Sequence, residues 1–181
     1  MKKILALISF LAFVIFVTQT AYADNTVDAA KSTKIEYYLA YPEILPDHPF
    51  YEIKVLRDKI YSYLINDPKK KIEFYLLQAD KGILASAMLI DKKRIPLAEE
   101  TILKAENNYT LITYQLWRVH EKPNPELLKK LKIASLKHQE VISSILKRVP
   151  EENKKTFETV LDFSKRNLET VEKLQKKKYY K

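Results

Sequence analysis

A single glycine, Gly82, in 181 residues constrains this chain more than any other feature. Glycine reaches positive φ without strain and lets a backbone come close to a phosphate or to another helix. Dinucleotide folds, phosphate-binding loops and many-turned β-sandwiches use it repeatedly, so those architectures are excluded. The 8 prolines fill the role of punctuation instead. Five helical stretches each open near one, as first-turn prolines do.

The first stretch runs from about Pro49 to Ile65, with Ile53, Leu56, Ile60 and Leu64 on one face. The second starts at Pro68, with Asn66 and Asp67 available as caps, and reaches about Arg94. Its apolar face is Ile72, Leu76, Ala79, Ile83, Ala87 and Ile90. Gly82 inside it either costs about 1 kcal/mol against Ala or marks a close helix contact. The third, from Pro96 to before Pro123, steps through Ala98, Ile102, Ala105, Tyr109, Ile112, Leu116 and Val119. The fourth, from Pro125 to about Arg148, uses Leu127, Leu131, Ala134, His138, Val141 and Ile145. The fifth, from Pro150 to about Lys176, uses Phe157, Val160, Leu161, Ser164, Leu168 and Val171. Alternating steps of three and four predict helices packed at shallow angles. The links between them are very short, which implies antiparallel neighbours. The fold class predicted is all-α: an elongated up-and-down bundle of about five helices with an extended proline-rich N-terminal segment. A hydrophobic fraction of 46% is enough to fill its core.

Lys2 and Lys3 precede an apolar run, Ile4 to Val17, and Ala21-Tyr22-Ala23 follows as a cleavage pattern. The run is short of the roughly 20 residues of a bilayer span. The expectation is a signal peptide over 1–23, cleaved after Ala23, with an uncleaved N-terminal anchor as the alternative. An exported chain follows, with a flexible lead-in over 24–40, a helical domain over 41–176 and a basic tail over 177–181. Within the lead-in, the polar part ends at Lys34. Ile35 to Pro49 is too rich in proline for a helix and too apolar to float, so it should pack in extended form against the domain.

The stretch Tyr41-Pro42-Glu43-Ile44-Leu45-Pro46-Asp47-His48-Pro49-Phe50-Tyr51, followed by Lys54, resembles the opening of a bacterial domain-of-unknown-function family carried by exported proteins. Asp67-Pro68, Lys70-Lys71, Tyr75-Leu76, Ala79-Asp80-Lys81 and Lys137-His138 are similar to its later helices. The resemblance implies an exported helical domain and brings no established activity. It singles out Tyr41, Pro42, Leu45, Pro46, Asp47, Pro49, Tyr51 and Lys54 as a motif of unassigned role. Leu45 should be buried, and Asp47 should cap the first helix through the amide of Phe50 or Tyr51.

Chemistry beyond that motif is sparse. The chain has no cysteine, which excludes disulfides, thiolate metal sites and lipidated-Cys anchors. Its 3 histidines lack the partners of di-iron and zincin motifs: Leu45, Trp117 and Ser135 stand three residues before them. No metal or cofactor is expected. His138 and Ser164 fall on facing seams, where they could form a nucleophile–base pair or a buried hydrogen bond. No acid is placed by spacing to orient the imidazole, and no glycine elbow is available, so the hydrogen bond is preferred. Glu99-Glu100 and Glu151-Glu152 lie at helix starts, where the macrodipole alone favours them. Tyr37, Tyr38, Tyr41, Tyr51, Tyr61, Tyr63 and Tyr75 cluster early; flat aromatics beside polar groups suit sugar rings or a peptide groove, but a core edge with wet hydroxyls is the preferred reading.

The net charge of +9 is spread over Lys69-Lys70-Lys71, Lys92-Lys93-Arg94, Lys129-Lys130 and the tail. It suits an anionic membrane surface or envelope polymer, and no nucleic-acid motif accompanies it. The expected function is an exported, non-enzymatic helical module that binds or scaffolds a cell-envelope component, with a protein partner also open. The alternatives are a periplasm-type helical chaperone or stress adaptor and, third, a hydrolase using His138 and Ser164.

Overall fold

The structure is a computed structural model that describes residues 35–118 and 123–177. The expected signal peptide, the polar part of the lead-in, Val119, His120 and the last four residues of the tail lie outside the described residues. The chain divides into two units, residues 1–34 and 35–181, and everything described belongs to the second. Its helices are α1 (Tyr51–Leu64), α2 (Pro68–Asp91), α3 (Ile95–Arg118), α4 (Pro125–Leu146) and α5 (Lys154–Lys176), the last preceded by a 3₁₀ turn, Glu151–Asn153.

Proline and a short polar cap begin α2 and α4 as their sequences predict. Asp67 accepts from the amides of Lys69 and Lys70 ahead of α2, and Asn124 accepts from that of Glu126 ahead of α4. Pro150 opens the 3₁₀ turn, so α5 proper starts at Lys154. α2 stops at Asp91 because the chain folds back on itself there. The amide of Arg94 donates to the Leu89 carbonyl at 2.8 Å and that of Lys93 to Ile90 at 2.9 Å. Lys93 takes φ 58° in this closure, a position where glycine is usual.

α2 pairs with α3 and α4 with α5 as antiparallel hairpins, and the hairpins also meet through α2 with α4 and α3 with α5. The apolar clusters fix the sense of those cross-pairs. Ile72 and Leu76 join Leu128 and Leu131 at one end, while Ile83 and Leu89 join Ile142 and Ile145 at the other. α2 and α4 therefore run parallel, as do α3 and α5, and α3 faces α4 across the diagonal.

The core has two apolar halves. One is centred on Leu76, Tyr109, Ile112, Leu131 and Val171, the other on Ile83, Ile102, Ile142, Ile145 and Phe157. Between them every helix of the four contributes a buried polar side chain: Asp80, Glu106, His138 and Asn167.

Gly82 sits where α2 crosses α3 most closely. A Cβ added there would lie 2.6 Å from the Cβ of Ala105, so the lone glycine marks a helix contact that no side chain fits.

α1 departs from the sequence expectation. Ile53, Leu56, Ile60 and Leu64 were predicted to face the core; they are 53% to 71% exposed. The side turned to the bundle carries Tyr51, Lys54, Val55, Asp58 and Ser62, with Lys54 buried. α2 to α5 already close a four-helix core, and the proline-rich segment lies over α2 and α3. No core volume is left for the stripe of α1 to fill.

Candidate functional site

Three features stand out: the polar layer, the cleft under the proline-rich segment, and the outward face of α1. In the layer, His138 Nε2 lies 2.8 Å from Asp80 Oδ1. The Tyr37 hydroxyl donates to the other oxygen of Asp80 at 2.7 Å, which anchors residues 35–40 to α2. His138 Nδ1 faces Glu106 Oε2 at 3.8 Å, beyond hydrogen-bonding distance. Asn167 Nδ2 donates to Glu106 Oε1 at 2.8 Å and to the Thr110 hydroxyl at 3.0 Å. The ring of Tyr109 stands edge-on to His138, and its hydroxyl donates to the Leu131 carbonyl at 2.6 Å.

Burial by itself would lower the pKa of His138, but the hydrogen bond that it donates to Asp80 and the charge of Glu106 outweigh it and raise the value to about 9. The layer therefore holds an imidazolium between two acidic side chains. Burial pushes the hydroxyls of Tyr109 and Tyr37 up, with Glu106 adding to the first and Asp80 to the second.

The expected His138–Ser164 bond is not formed. His138 spends Nε2 on Asp80, and Ser164 instead accepts, through its carbonyl, from the Ser135 hydroxyl at 3.3 Å. The acid that spacing did not supply is present twice, as Asp80 and Glu106. Sequence reasoning missed them although a signal existed. Asp80 falls in register between Leu76 and Ile83, Glu106 between Ile102 and Tyr109, and Asn167 between Ser164 and Val171. An ionisable residue in step with an apolar seam is a residue that will be buried. With His138 fully buried and the flanking clusters apolar, the layer ties four helices together, and none of its four side chains lines the cleft under the proline-rich segment. Among the described residues no group of three or more His, Asp or Glu side chains could hold a metal ion.

The proline-rich motif divides. Pro42, Pro46, Tyr51 and Lys54 come together and, with Gln78, Gly82 and Asn108 among others, line a cleft of about 70 Å³ over the α2–α3 contact. Pro42 is buried, Pro46 and Tyr51 half-buried. Lys54 is neutralised by Asp58 at 3.0 Å, and Asp58 also accepts from Arg57 and Gln78. Tyr41, Asp47 and Pro49 stand outside the cleft on the surface. Leu45 is half-buried, less covered than expected.

Asp47 does not cap α1. It pairs with Lys92 at 2.9 Å, and the Phe50 amide donates to His48 Nδ1 at 3.2 Å. The prolines aim Asp47 toward the end of α2 and leave the neighbouring imidazole over the helix start. The Lys92 hydrogen bond holds the Asp47 carboxyl below its ordinary range. Glu43 pairs with Lys81 and lies 3.8 Å from Arg57, so the motif is strapped to both α1 and α2.

The paired glutamates at helix starts serve local pairs: Glu100 binds Lys104 and Glu151 binds Lys154. Of the early tyrosines, Tyr37, Tyr51 and Tyr75 are half-buried, while Tyr38, Tyr41, Tyr61 and Tyr63 are exposed. Two of those four, Tyr61 and Tyr63, lie on α1. Ile53, Leu56, Ile60 and Leu64 join them there, with Phe50 just ahead of the helix, the densest run of exposed large apolar side chains among the described residues. No described helix is long and apolar enough to cross a membrane.

A family model described as a domain of unknown function (DUF5667) matches residues 43–152, which takes in the motif from Glu43 onward and α1 to α4. No curated protein and no solved structure matches the chain.

Proposed function

The chain belongs to the DUF5667 family, and from that premise we propose that it is an exported, non-enzymatic bacterial module that binds or scaffolds a cell-envelope component, with α1 as its contact surface. One observation carries the reading. α1 turns its polar side to the bundle and its apolar stripe to solvent, the reverse of what a helix does when its only role is to fill a core. Contiguous apolar exposure of this kind marks interaction sites. The non-enzymatic reading draws support from the burial of His138, Asp80 and Glu106 among four helices, away from the cleft under the proline-rich segment. The exposed lysines at Lys69, Lys70, Lys92 and Lys93 would add non-specific attraction to anionic envelope polymer or lipid. The chaperone alternative asks for a concave apolar groove, whereas the exposed residues form a stripe along a single helix.

The test is fractionation of cells producing the full chain. The wild-type protein should co-sediment with the envelope, and Ile53→Asp should release it without changing its melting. Retention of Ile53→Asp in the envelope fraction would contradict α1 as the contact surface.

A further inference from the structure

We propose that the outward face of α1 pairs with the same face of a second copy of this chain, as a parallel two-helix seam about a two-fold axis; this rests on the reading of α1 as the contact surface and names its partner, so that the envelope component is held by the lysine faces that the pair doubles and not by the covered stripe. The stripe has heptad spacing. Ile53 and Ile60 take successive a positions, and Leu56 and Tyr63 the d positions. β-branched residues at a with Leu at d favour two parallel strands. Tyr63 closes the seam at the C-terminal end of the helix, where its hydroxyl stays wet. Positions b, c and f fall on Tyr51, Lys54, Val55, Asp58, Tyr61 and Ser62. All but Tyr61 are turned to the bundle, and the Tyr61 ring lies against Phe74 of α2, 5.6 Å between centroids. Pairing therefore needs no movement of α1 on its own bundle.

Charge selects the second copy and the orientation. In a parallel pair, a g residue meets the following e residue of the other helix. Here that sets Glu52 opposite Arg57 of the second copy, twice by symmetry. The Arg57 side chain is 48% exposed beside Asp58 and has donors to spare. An antiparallel seam on the same stripe would bring Lys59 near Lys59. An anionic lipid surface would meet the carboxylate of Glu52 at the rim. Ile53, Leu56, Ile60, Tyr63 and Leu64 are 53% to 87% exposed. Covering them on both copies removes on the order of 1,000 Å², the lower limit for a specific interface. The expected dimer is a weak one.

Sedimentation of the full chain over a concentration series tests this. A monomer–dimer equilibrium is expected, abolished by Ile60→Asp. Glu52→Arg and Arg57→Glu should each weaken it by about tenfold, and the double swap should restore it. The chain has no cysteine, so Ile53→Cys offers a clean probe: oxidation should link two copies. A chain that stays monomeric at every concentration, or a dimer indifferent to Ile60→Asp, overturns the proposal. A seam-dependent dimer that Ile53→Cys fails to link overturns the parallel arrangement. A monomer that binds phosphatidylcholine–phosphatidylglycerol vesicles through Ile60 makes lipid the occupant and also overturns it. If the chain is monomeric while envelope co-sedimentation still depends on Ile53, the second-copy inference fails alone. If co-sedimentation ignores Ile53 as well, both readings fail.

Discussion

The imidazole of His138 on α4 meets the carboxylate of Asp80 on α2 at 2.8 Å, with no part of the ring exposed. Those helices run side by side in parallel, and the contact sits between the two apolar halves of the core. Any shift of α4 along α2 would separate the pair and leave charge in an apolar interior, so the contact fixes their register. Glu106 and Asn167 extend the same constraint to α3 and α5.

The pair makes stability depend on pH. The folded-state pKa of His138, about 9, lies above its ordinary 6.5. Its contribution is therefore fully present below about pH 6.5 and is lost as pH rises through 9. Denaturant unfolding should show stability falling by roughly 3 kcal/mol across that window. His138→Gln should flatten the slope, and a slope that survives in this variant would assign the titration to another group.

Removing the ring altogether should be worse than losing its volume. His138→Ala leaves Asp80 and Glu106 buried without a counter-charge, a change worth about 3–5 kcal/mol. A shift in melting equivalent to under 1 kcal/mol would mean that the layer is wetter and less coupled than its geometry implies.

Gly82→Ala should destabilise despite the better helix propensity of alanine. The gain in propensity is about 1 kcal/mol. The added methyl meets Ala105 at 2.6 Å, backed by the α3 backbone at 3.3 Å. Overpacking of this sort costs about 1–3 kcal/mol, so the net effect is a loss. Combining it with Ala105→Gly should recover part of that loss. A Gly82→Ala protein that melts higher would show α2 and α3 free to separate.

Asp47→Ala should cost no more than about 1 kcal/mol, because the pair with Lys92 is a surface ion pair. A loss of about 2 kcal/mol in chemical denaturation would restore the capping role that the sequence suggested.

The helices from α2 to α5 were legible in the sequence because prolines, caps and a period of three and four residues mark them independently. Gly82 was legible as either a propensity cost or a close contact; the structure decides for the contact, and its partner, Ala105, was not legible. The layer was half legible. His138 on an apolar seam announced its burial, but Ser164 was the partner that helix pairing suggested. Asp80 and Glu106 escaped because an acid in a helix is ordinarily solvated, and only its register with Leu76 or Ile102 says otherwise. α1 was misread for a different reason. A periodic stripe says that a helix has an apolar face and is silent on what covers it. When four other helices complete the core, the same stripe turns outward.

The most direct check on that outward turn is the stability of Ile60→Asp at a protein concentration where the wild-type chain is monomeric. An exposed stripe predicts a change in unfolding free energy within about 0.5 kcal/mol of zero, with self-association and envelope co-sedimentation lost. A loss of about 3 kcal/mol or more would put Ile60 in the core of the folded chain and contradict the account of α1 as a contact surface.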